Sequence, residues 1–449
     1  GAATGFAAKP AVDIRTEVKA ADLAGLAKSF SLGDALDWRR VSGINLAGVL
    51  NGTAETLVFS VNGQAAGGEV TLRGTARDPQ AVPDLDINLG LSHPDLGGLL
   101  SQLGLVEAGR PGGGALALTL TARGKPERLA LTLAGDVAGL ALNSDGTLSS
   151  TGDSREFDLK VEAKHADLVA MLRALGTDYR PALENIGGLA FSAAVKGTPA
   201  AMTVDGIRAA LGPARFEGKA ALTLDRPTPY VNADLTANEI IVDLFQSNDR
   251  RWSRAPLDLT GMAAVDADVT LAAAGLVFRQ YPFVKPRMVM HLEDGALTIR
   301  ELKGGLFGGN IGLSALVESR PVTGFALNTK LVGADIEEAL KTAVGLDTVT
   351  GRLDFQGSFK ARGNSQWDLV NGLEGTAELH AANGVIRGFD MRSFSDRMQK
   401  LTEGAHFIDL VSRTFSGGQT AYSSVDGTWQ IERGVARTAD TRAMLDAAE

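Results

Sequence analysis

A mostly β chain of repeated strand units is what this sequence predicts, and three observations carry that reading. Glycine supplies 54 of 449 residues while aromatics make up only 6%, a composition of many tight turns and few large aromatic cores. Short runs of Leu, Val, Ala and Thr alternate with polar residues at the period of a half-wet strand. A third signal is self-similarity: a strand pattern running into an acidic residue and then an aliphatic one recurs along the chain.

The acidic residues of that pattern are Asp22, Asp95, Asp167, Glu239, Asp335 and Asp390, spaced 73, 72, 72, 96 and 55 apart. Before Asp167, Phe157, Leu159, Val161 and Ala163 share one strand face, and Asp158, Lys160, Glu162 and Lys164 share the other. After it, Leu168, Met171, Leu172 and Leu175 follow a helical period, and Gly176 stops the run. The acid therefore sits at a strand-to-helix junction, where its carboxylate meets the positive end of the helix dipole.

Between helices the sequence leaves room for about five antiparallel strands. In one unit these are Gly114 to Thr121, Arg128 to Leu133, Val137 to Leu142, Gly146 to Ser150 and Glu156 to Lys164. In the next they are Leu189 to Val195, Ala201 to Ile207, Arg208 to Leu211, Ala214 to Leu224 and Tyr230 to Ala237. Turn signals of Gly, Asn, Asp and Lys-Pro separate them. The longer fourth interval holds Ser247 to Pro256 and Arg279 to Pro286, expected as surface loops because of their charge and because Pro282 and Pro286 break the strand pattern. Such meanders stack into an extended sheet, rolled or trough-like. Whether the apolar face closes as a dry sandwich core or stays open is left undecided by pattern alone. Five strands at about 4.8 Å would advance each unit ~24 Å and the chain on the order of 100 Å. The organisation is residues 1–260 as repeating units of about 72 residues and 261–449 as a distinct C-terminal region.

Charge and composition exclude several functions. Lys and Arg number 44 against 53 Asp and Glu, a net −9, with no basic run fit to neutralise phosphates, which argues against nucleic acid. With no cysteine there are no disulfides, thiolate nucleophiles or thiolate-held metals. No uncharged apolar run reaches the roughly 18 residues of a membrane span. The chain opens at Gly1 and ends at Glu449 just after the strand pattern Gly427 to Val435, and is read as a fragment. His93-x-Asp95 and His165-x-Asp167 have the look of metal fragments but recur about 72 residues apart, so repeat descent accounts for them. Gly112-Gly113-Gly114 opens a strand and reads as a turn, not a nucleotide loop. Asp84, Asp86 and Asn88 alternate with Leu85, Ile87 and Leu89 and form the wet face of a strand. Glu337 and Glu338 have no assignable partner, and neither metal, cofactor nor catalytic residue is expected; the reading is of a non-enzyme.

One stretch carries a resemblance. Residues 363–397 contain a short helix ending at Gly372-Leu373-x-Gly375 and then Asn383-Gly384-Val385-Ile386-Arg387-Gly388-Phe389-Asp390, expected as a hairpin leading into a helix. This resembles the C-terminal module of the bacterial AsmA family. Asp294 to Ile299 followed by Leu306 to Ile311 resembles the family's hairpin ending in a Gly-Gly strand, and Val195 to Pro199 its earlier repeats. The resemblance implies an elongated, U-shaped repeating β-groove with an apolar interior, in a periplasmic protein anchored in the inner membrane of a Gram-negative bacterium through an N-terminal helix absent here. It implies phospholipid acyl chains as the cargo, a contribution to outer-membrane biogenesis, and envelope proteins as further partners. The alternative is a structural or assembly scaffold for outer-membrane proteins. Candidate lining residues are Leu118, Leu120, Leu129, Leu131, Leu133, Phe157, Leu159, Val161, Phe191, Leu222, Leu224, Val231, Leu235, Leu327 and Leu331.

Overall fold

In a computed structural model, residues 2–4, 11–20, 43–102, 113–152, 154–174, 187–242, 252–257, 259–319, 322–388 and 418–445 are described. They are mostly β. Contacts divide the chain into a first unit, Gly1–Asp225, and a second, Arg226–Glu449.

The first unit is an antiparallel meander in which every strand pairs with its chain neighbours: β1 (Ala2–Thr4), β2 (Ala11–Ala20), β3 (Ile44–Thr53), β4 (Thr56–Ala65), β5 (Gly68–Arg77), β6 (Asp84–His93), β7 (Leu116–Lys125), β8 (Arg128–Val137), β9 (Leu140–Thr151), β10 (Ser154–His165), β11 (Leu189–Gly197), β12 (Ala201–Leu211) and β13 (Ala214–Thr223). Two short helices, α1 (Leu96–Gln102) and α2 (Leu168–Ala174), follow β6 and β10. Among the described residues the unit's sheet is open. Strands β3, β7 and β11 begin at 44, 116 and 189, so the interval read from sequence is a true structural repeat.

The repeat holds four strands, not five. Val137 to Leu142 and Gly146 to Ser150, expected as two strands, are largely the single strand β9, whose Asn143-Ser144-Asp145-Gly146 runs straight through in register with β8 and β10. Ala201 to Ile207 and Arg208 to Leu211 likewise merge into β12, with Asp205-Gly206 forming a bulge between Val204 and Ile207. Each repeat thus advances about 19 Å rather than ~24 Å.

The second unit begins with β14 (Tyr230–Val242), which pairs in parallel with β15 (Asp266–Phe278). A parallel pair demands a crossover; the 3-10 turn Thr260–Ala263 lies on that return. From β15 onward the sheet is antiparallel in chain order through β16 (Tyr281–Glu293), β17 (Ala296–Leu306), β18 (Gly309–Glu318), β19 (Gly324–Asp335), β20 (Arg352–Arg362), β21 (Glu374–Arg387) and β22 (Gln419–Glu432). The short β23 (Val435–Arg437) and β24 (Arg442–Leu445) both pair with β22. Helix α3 (Ile336–Val344) follows β19 and α4 (Gln366–Asn371) follows β20.

Two further expectations change here. Arg279 to Pro286 is not a loop: it spans the β15–β16 turn and the start of β16. The strand accepts its prolines because the β16–β17 register shifts between Val284 and Arg287, leaving a bulge at Lys285-Pro286 where no ladder donor is needed. Glu239 is inside β14 rather than at a helix junction. Asp95, Asp167 and Asp335 do cap helices: their Oδ1 atoms accept from Gly98 N–H at 3.0 Å, from Val169 and Ala170 N–H at 2.9 and 3.0 Å, and from Glu338 N–H at 3.0 Å. Asp22 and Asp390 lie outside the described residues, as do Leu175 and Gly176.

Glycine explains how neighbouring strands come so close. A Cβ on Gly135 would stand 2.0 Å from the Ala117 carbonyl oxygen, an approach no side chain permits. Gly135→Ala should therefore lower the urea midpoint by an amount equivalent to about 1–3 kcal/mol, read by far-UV circular dichroism; an unchanged midpoint would show that the close approach is not needed.

Candidate functional site

Register, not sequence distance, assembles the site. In the first unit Leu85, Ile87, Leu89 and Leu91 of β6 stand opposite Gly124, Ala122, Leu120 and Leu118 of β7. Those in turn face Leu129, Leu131, Leu133 and Gly135 of β8. The same rows continue through Leu142, Ser144, Gly146 and Leu148 to Phe157, Leu159, Val161 and Ala163, and then to Phe191, Ala193, Val195 and Gly197. Traced from β2 to β13, this face carries one charged residue, Arg155 opposite Ser150 near the start of β10, and no other Asp, Glu, Lys or Arg. The other charges occupy the opposite face, where Arg123 Nε reaches Asp86 at 3.3 Å and Lys196 Nζ reaches Asp158 at 3.1 Å between directly paired positions.

The apolar face is only partly covered. Most of its aliphatic side chains are half-buried, and Ile14 and Val18 are exposed; the buried hydrophobic cluster seen among the described residues lies wholly in the second unit. Leu118, Leu120, Leu129, Leu131, Leu133, Phe157, Leu159, Val161, Phe191 and Leu222 all fall on this one face. Leu224 lies past the end of β13 and is 41% exposed. Val231 and Leu235 are in the second unit opposite Ala267 and Leu271, and Leu327 and Leu331 stand between Ala315 and Ile311 on one side and Phe359 and Phe355 on the other. Leu331 is 6% exposed and belongs to the buried cluster. Leu46, Leu50, Val61 and Leu72 join the face without having been singled out; their strands are interrupted by Gly and Asn, which blurs the alternation. Ser144 holds a buried hydroxyl without a partner among the described residues, at the centre of the face between Leu133 and Val161.

The two His-x-Asp motifs finish the end of this sheet. His93 Nδ1 accepts from Asp95 N–H at 3.0 Å, which leaves the proton on Nε2, and Nε2 donates to the Ala66 carbonyl at 3.0 Å. Ala66 and Gly67, at φ 55° and 85°, form the tight β4–β5 turn, so one imidazole ties a hairpin tip to a helix cap. His165 repeats the bond to Asp167 N–H at 3.0 Å, beside the matching turn Ala138-Gly139.

In the second unit a polar network spans four strands on the face opposite Leu271 and Met290. Asp268 accepts from Tyr230 Oη at 2.7 Å and pairs with His291 Nδ1 at 2.9 Å, while Arg300 approaches its Oδ1 at 3.6 Å and His291 Nε2 meets Glu293 at 3.3 Å. The Tyr230 hydrogen bond, then that of His291, holds Asp268 below the usual carboxylate range, and the bonds to Asp268 and Glu293 hold His291 above the usual imidazole range. Both ring nitrogens and both carboxylate oxygens are occupied, so the cluster clamps strands together and has no free base to offer.

The Asn383-Gly384 motif lies inside the continuous strand β21, not in a hairpin. Asn383 takes φ 54°, and a Cβ on Gly384 would lie 1.9 Å from the Thr350 carbonyl oxygen and 2.4 Å from Tyr422 Oη. That room seats Tyr422, 1% exposed, whose hydroxyl donates to the Thr350 carbonyl at 2.6 Å. Arg387 of the same motif grips Glu337 with two nitrogens at 3.0 and 3.3 Å, so the carboxylate without an assignable partner has one, and α3 is held to the end of β21. The expected hairpins at Asp294-Gly295 and Phe307-Gly308 are present as two-residue turns with positive φ at both residues. Phe389 and Asp390 lie outside the described residues.

A protein-family model described as the AsmA family matches residues 244–441. Residues 244–441 belong to the AsmA family. Neither the curated proteins nor the solved structures give a match. AsmA proteins are linked to envelope biogenesis and are generally non-enzymatic. Among the described residues no helix is long and apolar enough to cross a membrane. Within the matched stretch, Gly384 makes room for Tyr422 and Arg387 holds α3.

Gly384→Ala should destabilise the second unit by about 1–3 kcal/mol, whereas Tyr422→Phe should lose only about 1 kcal/mol; equal denaturant midpoints for the two would contradict the steric account. The Asp268 clamp predicts a pH window. The raised His291 contributes stability that is full below its unfolded value of about 6.5 and fades as pH rises through its folded value; the lowered Asp268 contributes above about 3.9 and fades as pH falls. Melting curves of His291→Gln should therefore lose the mildly acidic advantage of the parent chain and converge with it at alkaline pH.

Proposed function

We propose that the apolar sheet face of this AsmA-family chain forms a β-groove that carries phospholipid acyl chains in the periplasm between the inner and outer membranes, in the service of outer-membrane biogenesis. One observation carries the reading: across β2 to β13 the face holds a single charged side chain, Arg155 at the start of β10, and most of its aliphatic residues are only half-buried. A folded chain exposes so broad an apolar patch where something apolar is meant to lie on it. An acyl chain is a fitting occupant because it has no hydrogen-bonding needs, and a palmitoyl-sized chain costs roughly 10 kcal/mol or more to hold in water at ~0.8 kcal/mol per CH₂. A lining of Leu, Val, Ala and Gly without polar anchors favours many equivalent shallow positions over one deep site, as transport along a path requires. Inner-membrane anchorage by a segment outside this chain and contacts with envelope proteins belong to the same proposal.

The test is to purify the chain without detergent, extract it, and look for phospholipid by mass spectrometry. Stoichiometric phospholipid is expected, and Leu120→Glu, Leu131→Glu and Leu159→Glu should each reduce it severalfold while far-UV circular dichroism stays that of the parent. A parent chain free of lipid, or charged variants that retain it fully, would overturn the groove reading.

A further inference from the structure

The second unit carries a basic hollow on the outer face of its sheet, the side opposite the buried cluster. It encloses about 680 Å³ and is lined by Val284, Lys285 and Arg287 of β16, Lys303 of β17, Asn310 and Gly312 of β18, and Lys330 and Val332 of β19, with Gly304, Gly305 and Ile311 completing it. Side chains at 283, 288, 302, 311 and 331 go to the buried cluster, so by strand alternation Val284, Arg287, Lys303, Asn310, Gly312, Lys330 and Val332 share the outer face.

Four cations and no carboxylate line this hollow in a chain whose net charge is −9. Arg287, Lys303, Gly312 and Lys330 form one row, each directly opposite the next. Lys303 leans on Glu301; Lys285, Arg287 and Lys330 make no ion pair among the described residues. At the centre of the row a Cβ on Gly312 would meet nothing within 4 Å. Lys303 and Lys330 therefore flank an open glycine floor at a strand separation of about 9.6 Å, wide enough to admit a phosphate between two ammonium groups. The rim is apolar and open: Val284 is 56% exposed and Val332 42%.

We propose that this hollow binds the phosphate of an anionic phospholipid headgroup at a membrane surface. Cationic side chains beside exposed aliphatic ones are the combination that an interface of headgroups and acyl chains recruits, whereas a free anion has no use for the valines. The site is separate from the apolar face of the first unit and does not depend on cargo there.

The test is flotation of the whole chain with vesicles of phosphatidylcholine alone and of phosphatidylcholine containing phosphatidylglycerol. Binding is expected to the anionic vesicles only and to weaken with added salt. Lys303→Gln with Lys330→Gln should reduce that binding about thirtyfold, at ~1 kcal/mol per surface cation. Gly312→Leu keeps every charge, places its side chain in open space and should also abolish binding. Lys160→Gln with Lys196→Gln, two cations of the charged face of the first unit, should float like the parent, which ties the effect to the hollow and separates this result from the groove reading. Equal binding to neutral vesicles, full binding by Gly312→Leu or by the double variant, or displacement by water-soluble glycerol phosphate at the same phosphate concentration would each overturn the proposal. Melting curves of every variant must match the parent for the comparison to stand.

Discussion

Side chains along a strand alternate with a period of two, so a slip of one residue at any pairing in the first unit would turn an uncharged row toward the charged side. Twelve successive strands avoid that slip. Tight turns such as Ala66-Gly67 and Ala138-Gly139 set the count on one side of each hairpin, and cross-strand ion pairs such as Arg123 with Asp86 reward correct pairing on the wet face. Everything inferred about function depends on this alignment, because no single strand carries more than a few apolar residues. The face exists only as a sum.

A sheet with one wet face ordinarily rests its apolar side on a second layer. In the second unit that role is partly met by α3, whose Ile336 and Ala339 enter the buried cluster with Leu331, Leu353 and Tyr422. Among the described residues of the first unit the helices are too short to do so; α1 and α2 contribute buried residues Leu96, Val169 and Met171 at the sheet's end. Imidazoles tie those ends to neighbouring hairpins instead. Residues of the matched stretch serve a comparable purpose at β21, where Gly384 yields its side-chain volume to Tyr422.

The repeat, the alternation and the acid at the helix start were legible because each is a local regularity of spacing. What misled was turn chemistry read without neighbours. Asn143 to Gly146 and Asn383-Gly384 have the composition of turns, yet both run on inside a strand, since pairing with the neighbours outweighs local preference. Pro282 and Pro286 argued for a loop until a bulge relieved the second of its missing donor. The partner of Glu337 was hidden because Arg387 is 50 residues away. The basic hollow was equally invisible: its cations come from three strands around a glycine on a fourth, and each alone is an ordinary surface residue.

Sequential pairing has an evolutionary corollary. A strand in the first unit touches little beyond the strands before and after it, so stability is close to a sum of nearest-neighbour terms. Duplicating or deleting one 72-residue period would leave both flanking interfaces of the same kind as before. Length then becomes a quantity that selection can adjust in steps of about 19 Å, independently of the fold, much as links are added to a chain.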